Sequence, residues 1–430
     1  MLRHRRLGTR ASHDVGIVGC GFAGAATAVF LARAGHRVTV YERVPEPGAV
    51  GAGILLQPTG LAVLAELGLL APILARGAEV AALRARTHGG REIFHLRYER
   101  LAPGLFGIGT HRGALFDTLL AALREAGASL RPGIEVAGIA AEAARPRLLG
   151  ADGLAFAEHD LVLVADGARS RLRGASSIRH RARPYPWGAL WFVGEDPERR
   201  FAGTLSQVCD GTEHMLGCLP TGLGAGNGAM PLVSLFWSIR VDRIADWRER
   251  GLAAWKQTLI RYEPRAEPLL TQIRDADQVL VATYVDVVMR RLHRRRVGFL
   301  GDAAHATSPQ LGQGANLALL DASAMAAALR EEPDVERALA RYDAARRAHV
   351  RFYGLASRWL TPFFQSRLRW LAPLRDRGFP LLAGIAAGEA QMLRTLAGVK
   401  RGVLRRSQPT AALCAALTSP RGAAAASSPP

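Results

Sequence analysis

Three short stretches decide the fold: Val15-Gly-Ile-Val18, Gly19-Cys20-Gly21-Phe22-Ala23-Gly24, and Val38-Thr-Val-Tyr-Glu42. The first is a short apolar run of the kind that forms a buried strand. Ala23 to Ala34 has helical composition and no breaker until Gly35, and Arg37 to Tyr41 alternates as a second strand. Strand, glycine turn, helix and strand make a βαβ unit opening with G-x-G-x-x-G. In such a unit Gly19 permits the tight turn and Gly21 lets the backbone approach a pyrophosphate. Gly24 allows close helix–strand packing, and the helix N-terminus offers free N–H groups to the phosphates. Glu42, at the end of the second strand, stands where a carboxylate accepts hydrogen bonds from a ribose. The unit predicts an adenine-dinucleotide site without saying which dinucleotide.

The 430 residues are enough for a large core, expected as two closely joined domains. The four cysteines (Cys20, Cys209, Cys218, Cys414) show neither metal-ligand spacing nor a disulfide framework, which predicts a reducing, cytoplasmic setting and no metal. The net charge of +19 is unevenly spread. Residues 1–13 carry four arginines and no acid, and residues 341–406 carry 14 Lys or Arg against 3 Asp or Glu. This reads as a solvated arginine-rich surface, with an anionic membrane surface as the alternative. No nucleic-acid-binding motif accompanies the charge, so no nucleic-acid partner is expected. Residues 1–13 lack the apolar segment of a signal peptide and read as a disordered basic extension. Residues 406–430, rich in Ala, Ser and Pro, read as a disordered tail.

Further along, Gly60 to Leu70 is expected to be helical, and Ala78 to Leu96 to form strands and turns on the substrate side. A helix is expected from about Thr110 to Ala126. Arg112 falls in its first turn, where the helix dipole disfavours a cation, so an anionic or polar partner is implied. Asp160 to Ala165 is a continuous apolar strand ending in Asp166-Gly167, at the edge where α/β sheets bind ligands. Residues 179–285 change character to alternating aromatic and β-branched strands. They predict an inserted, mostly antiparallel sheet with a helix near Ala245–Tyr262 and a loop at Gly222–Gly228. Arg296 to Leu300 is another short strand, ending in Gly301-Asp302. The loop through Pro309, Gly312 and Gly314 then opens a long helix near Ala315-Asn316 that runs to about Arg330. His305 is expected to be hydrogen-bonded within that loop rather than to act as a base. Trp359 to Leu371 mixes aromatics with arginines, as in amphipathic helices packed on the body; a membrane contact or a substrate lid is the alternative.

Gly19–Gly24 with Glu42, Asp166-Gly167, and the run G-D-A-A-H-x-x-x-P-x-x-G-Q-G-x-N from Gly301 to Asn316 together resemble the FAD-dependent aromatic hydroxylases typified by para-hydroxybenzoate hydroxylase. The resemblance implies an α/β fold. Its Rossmann-like FAD-binding domain would comprise residues 14–178 and 286–345, with residues 78–100 contributing to the substrate side. A β-sheet substrate domain at 179–285 and C-terminal helices at 346–405 would complete it. It also implies site roles. Gly19, Gly21, Phe22, Ala23 and Gly24 would cradle the FAD, Glu42 would bind its adenosine ribose, and Arg43 could reach the nucleotide. Arg112 would contact the FAD chain, and Asp166 would lie near both FAD and the NAD(P)H route. Gly301 and Asp302 would meet the ribityl or pyrophosphate region. Pro309, Gly312, Gly314, Ala315 and Asn316 would lie along the isoalloxazine, with Gln57 a further contact. The implied reaction is reduction of FAD by NAD(P)H and addition of O2, with oxygen passing from a flavin hydroperoxide to an aromatic or quinone-like substrate. No protein nucleophile is needed, and a monomer or homodimer is expected. The alternatives are a related FAD-dependent halogenase or prenyl-chain reductase, a NAD-dependent dehydrogenase, and a non-enzymatic flavin-binding protein.

Overall fold

A computed structural model describes residues 12–48, 51–142, 144–224 and 228–402, together with Ala415. The basic extension before Ser12, the tail from Arg406 apart from Ala415, and residues 225–227 of the Gly222–Gly228 loop lie outside the described residues. Besides a small three-stranded antiparallel sheet (Gly138–Ala140, Arg147–Leu149 and Ala155–Glu158), two larger sheets organise the rest. The smaller of these two has six strands, in the order His293–Arg294, Val297–Phe299, Leu161–Val164, Asp14–Val18, Arg37–Glu42 and Ser129–Pro132. All its pairings are parallel except the edge hairpin between the first two. Its central strands are apolar and buried over Val15–Val18 and Leu161–Val164, as expected where helices cover both faces. Register fixes the site, because Val18 pairs with Val164 and Val164 with Phe299. The three chain segments that follow, at Gly19, Ala165-Asp166 and Leu300-Gly301, therefore leave one edge of the sheet side by side.

The larger sheet has nine strands. Residues 180–240 supply four of them, and Leu280–Met289 pairs antiparallel with His180–Glu195. Gly53–Leu56, Ala78–Thr87, Glu92–Arg97 and Gly107–His111 supply the others, so the larger sheet draws on more of the N-terminal half than residues 78–100. Ala78–Thr87 joins Gly203–Asp210 in parallel. Leu280–Met289 runs continuously across position 285.

Local differences from the expectations have simple causes. The helix expected from Gly60 is two, Pro58–Glu66 and Leu70–Arg76. The helix expected at 245–262 breaks into Ile244–Arg250 and Leu252–Tyr262 because Gly251 takes φ of +81°. Gly222 and Leu223 finish the strand His214–Leu223 rather than starting a loop. Residues 110 and 111 end a strand, and the helix begins at Arg112, where His111 accepts the Gly113 N–H as its cap. After Gly301 come a short helix Asp302–His305, the long helix Gly314–Glu331, and three C-terminal helices at Val335–Phe364, Leu371–Gly384 and Ala386–Leu396. Among the described residues, no helix is long and apolar enough to cross a membrane.

Candidate active site

The glycine fingerprint is built by backbone contact. Gly19 adopts φ of +100°, and its N–H donates to the carbonyl of Tyr41 at 2.8 Å. A Cβ on Gly19 would stand 2.5 Å from the Ala165 carbonyl oxygen and 2.9 Å from Asp166 Cα. A Cβ on Gly24 would fall 1.9 Å from the Gly19 carbonyl oxygen. These two positions accept only glycine, because any side chain would force the helix Phe22–Arg33 off the strand. Gly21 differs: a Cβ there would meet nothing within 4 Å. Its missing side chain leaves open space in front of the helix N-terminus.

Glu42 faces that space. One carboxylate oxygen accepts the Cys20 N–H at 2.8 Å and the other the Val44 N–H at 3.0 Å, so the loop itself sets the acid's orientation. Arg43 is exposed beside it, and its charge opposes the burial-driven rise of the Asp166 pKa. The Arg112 guanidinium lies 5.3 Å from the centre of the Phe22 ring, a cation–π contact that spans the opening of the fingerprint helix. Arg112 and Phe22, ninety residues apart in sequence, thus share one rim.

Asp166 leaves the adjacent strand. Burial raises its carboxyl above the usual range, against the opposing pull of Ser170, Arg173 and Arg43. Its Oδ1 is buried without a hydrogen-bond partner among the described residues. Arg173 holds the turn together by donating to the carbonyls of Ala168, Gly167 and Ala303. It thereby ties the Asp166-Gly167 turn to the Gly301 loop.

Gly301 closes the third side. Its φ is +56°, and a Cβ would stand 2.9 Å from the Ala23 Cβ, so the two glycine motifs touch. Asp302, Pro309, Gly312 and Gly314 are exposed along one loop, and Asp302 Oδ1 would lie 3.9 Å from a Cβ on Gly314. Ala315 follows in the first turn of the helix that starts at Gly314, whose free N–H groups open toward the loop. The Asn316 side chain is fully engaged instead. It accepts the Gln57 N–H at 2.8 Å and donates to the carbonyls of Leu55 and Gly312. Gln57 accepts the Tyr98 hydroxyl at 2.5 Å, while its buried Nε2 has no partner among the described residues.

His305 is hydrogen-bonded as expected, though not within the loop. Its Nε2 lies 2.6 Å from Asp321 Oδ2, on the long helix. The same carboxylate accepts the Gly301 N–H at 2.7 Å and Arg346 Nε at 2.7 Å. Burial would raise the Asp321 pKa, but His305 and Arg346 outweigh it and hold the carboxyl well below the usual range. Arg346 donates to His349 Nδ1 at 2.7 Å, which makes Nε2 the protonated nitrogen, donating to the Gly398 carbonyl at 2.8 Å. Burial, reinforced by Arg346, pushes the His349 pKa down to about 3, so this ring is neutral. The reading from sequence missed Asp321, Arg346 and His349. The available signal was Asp321 itself, the one acid between Gly314 and Arg330 on a helix otherwise nearly all apolar.

Among the aromatic residues, Trp187 and Trp237 are buried, and His214 stacks on Trp237 at 5.2 Å, so these three are sheet structure. Trp191 donates to the Tyr284 hydroxyl at 3.3 Å and, with Gly51 and Leu280, lines a cavity of about 270 Å³. The Arg112 stem packs on Gly51, next to that cavity. The Tyr185 hydroxyl is buried without a hydrogen-bond partner among the described residues.

A parallel sheet whose carboxyl edge carries a G-x-G-x-x-G fingerprint, with an Asp-Gly turn and a Gly-Asp loop beside it, defines a dinucleotide-binding protein. The sequence profile described as FAD binding domain matches residues 12–353. The chain belongs to the para-hydroxybenzoate hydroxylase-like family of FAD-dependent aromatic hydroxylases, and FAD is the dinucleotide. Its relatives include the kynurenine 3-monooxygenase of Salinispora arenicola, 28% identical over 79% of this chain and 78% of that one. The 2-heptyl-3-hydroxy-4(1H)-quinolone synthase of Mycobacteroides abscessus is 30% identical over 78% of this chain and 86% of that one. Among solved structures, Klebsiella pneumoniae HpxO complexed with FAD and uric acid superposes with a TM-score of 0.76. It covers 91% of this chain and 99% of its own at 23% identity, which establishes the shared fold. The enzyme class is therefore FAD-dependent monooxygenase.

Proposed function

We propose that this enzyme hydroxylates a small aromatic or polycyclic compound with O2, drawing electrons from NAD(P)H, in a reducing cytoplasmic setting and as a monomer or homodimer. The observation that carries the site assignment is the convergence of three sequence-distant turns, with Gly19 against Asp166 and Gly301 against Ala23. The local chemistry fits FAD. Open space at Gly21 before a helix N-terminus suits a pyrophosphate, and the preoriented Glu42 carboxylate suits a ribose. The unpartnered Asp166 Oδ1 offers an acceptor at the sheet edge, and the unpartnered Gln57 Nε2 offers a donor beside Asn316. Arg112 and Phe22 would flank the phosphate chain, with Arg43 outside it. Asp302, Pro309 and the backbone from Gly312 through Asn316 would border the flavin end, Asn316 acting through the strand and loop it pins. The redox chemistry, hydride uptake from NAD(P)H and oxygen activation, is what bound FAD supplies. The chain's own tasks are to orient both ligands and keep water out. The aromatic wall of Trp191 and Tyr284 beside Arg112 supports a flat, apolar substrate. The three described cysteines are free and buried, in keeping with a reducing compartment.

The test is a panel of kynurenine-, quinolone- and purine-like rings, chosen from the relatives' named compounds, scored for stimulated NADH and NADPH oxidation. The expected result is a ring compound that accelerates oxidation and gains one oxygen by product mass. Acceleration by none of the panel, or oxidation yielding only hydrogen peroxide with every ring, contradicts the substrate class.

A further inference from the structure

The exposed apolar side chains of this protein are not evenly spread. Of the sixteen large ones among the described residues, eight lie between Leu355 and Ile385, on the end of one helix, along the next and in the turn between. Trp359 is 77% exposed, Leu381 71%, Trp370 65% and Ile385 61%. Their spacing is helical. Arg351, Leu355 and Trp359 repeat every four residues on Val335–Phe364, and Leu374, Arg377 and Leu381 repeat every three or four along Leu371–Gly384, with Ile385 directly after its end. Leu368 and Trp370 occupy the turn.

The inner faces of the same helices are firmly seated. Phe363 and Phe364 pack against Phe379 at 5.7 and 6.0 Å, and the buried Arg375 donates to the carbonyls of Gly211 and Phe363. The outward stripes are therefore held in place, and no small rotation of a helix would bury them. Among large side chains, tryptophan is the costliest to leave in water and the best suited to a boundary between polar and apolar phases.

We propose that this face docks on an anionic phospholipid surface, with the two helices lying in the headgroup layer. Residues 351–385 carry six arginines against one acid, Asp376. Arg351 and Arg377, on the two apolar stripes, are exposed and make no ion pair among the described residues. Arg367 and Arg369, on the turn, reach Asp242 and Glu213 only at 3.8 and 3.6 Å. Apolar side chains framed by cations match a surface whose interior is hydrocarbon and whose headgroups are negative. A second copy of the chain matches poorly, because a two-fold contact would bring like-charged stripes together.

The same helix faces the site. Ser308, in the loop before Pro309, lies within hydrogen-bond reach of Ser357 at 2.7 Å and Thr361 at 2.8 Å, and both flank Trp359 in sequence. One helix thus presents its inner face to the Gly301–Asn316 loop and its outer face to the lipid. Docking would set the site against a reservoir of membrane-dissolved aromatic compounds. The docking itself needs neither NAD(P)H nor substrate, so it stands or falls apart from the proposed reaction.

The full-length flavin-loaded protein is floated with vesicles of phosphatidylcholine alone and of phosphatidylcholine with phosphatidylglycerol. The expected result is co-flotation with the phosphatidylglycerol vesicles, reduced at least about tenfold without that lipid or at high salt. The double substitution Trp359→Glu, Leu381→Glu should abolish flotation while leaving flavin absorbance unchanged. Should that variant lose its flavin, brominated lipid serves instead: it should quench fluorescence in the wild type, and less in Trp359→Phe, Trp370→Phe. Failure to float with anionic vesicles overturns the proposal. So does unchanged flotation or quenching in the variants, or a concentration-dependent dimer that the same substitutions dissociate.

Discussion

The two glycine-rich loops sit against each other at one sheet edge, yet they are held by different forces. The first, Gly19–Gly24, is fixed by close backbone approach within its own βαβ unit and against Asp166. The second, Gly301–Asn316, is fixed by side chains from distant helices. Asp321 takes the Gly301 N–H, Arg346 and His349 anchor Asp321 to the chain near Gly398, and Gln313 Nε2 donates to the Leu396 carbonyl. The first loop needs the absence of atoms, and the second needs a buried charge network to be complete. The two should therefore fail in different ways.

The largest effect is expected at Asp321. Asp321→Ala leaves the buried Arg346 uncompensated and the Gly301 N–H without its acceptor, at a cost of about 3–5 kcal/mol. Urea unfolding of the apoprotein measures it, and a loss under 1 kcal/mol would remove the network from the account. Gly24→Ala comes next. Its methyl would meet the Gly19 oxygen at 1.9 Å, so about 1–3 kcal/mol of stability should go together with FAD binding.

Acid should weaken the second loop's support through His349 well before the Asp321 carboxyl titrates. His349, at about 3 in the folded protein, takes up its proton in the unfolded chain near 6.5. Its contribution is complete above the unfolded value and declines as pH falls from there toward 3, about 2 kcal/mol being lost by pH 5. The depressed Asp321 carboxyl adds a further loss only below its ordinary value of 3.8. Thermal melts between pH 7 and pH 5 should show the decline, and His349→Gln should make it shallower, leaving the smaller share of His36, His111 and His293. An equal slope in that variant would assign the acid sensitivity elsewhere. Asp302→Ala should be milder on the fold, since the carboxylate is exposed, and should show itself as weakened FAD retention.

The same difference explains what could be read from sequence. The first loop's partners within its own βαβ unit are close in sequence, so spacing alone gave its strand, turn, helix and acid, while its contact with Asp166 appears only in the packed fold. The composition of the second loop was equally plain, but its supports were not. Gly301 reaches Asp321 across 20 residues, and His349 reaches Gly398 across 49, and these pairings exist only once the helices pack. The strands within 179–285 and Ala78–Leu96 were legible as alternation, whereas their union in one sheet and the entry of Gly53–Leu56 and Gly107–His111 into it were not. Both are short glycine-containing strands whose neighbours are set by tertiary contact rather than by local pattern.

Gly21 offers the sharpest test of the contrast, because its side-chain position is empty in the protein itself. The measurement is the FAD dissociation constant of Gly21→Val, taken together with the melting temperature of its apoprotein. The expected result is FAD binding weakened at least about tenfold, by blocking the pyrophosphate's approach, with the apoprotein melting within a degree or two of wild type. Wild-type FAD affinity in Gly21→Val would contradict the placement of the cofactor in front of this loop.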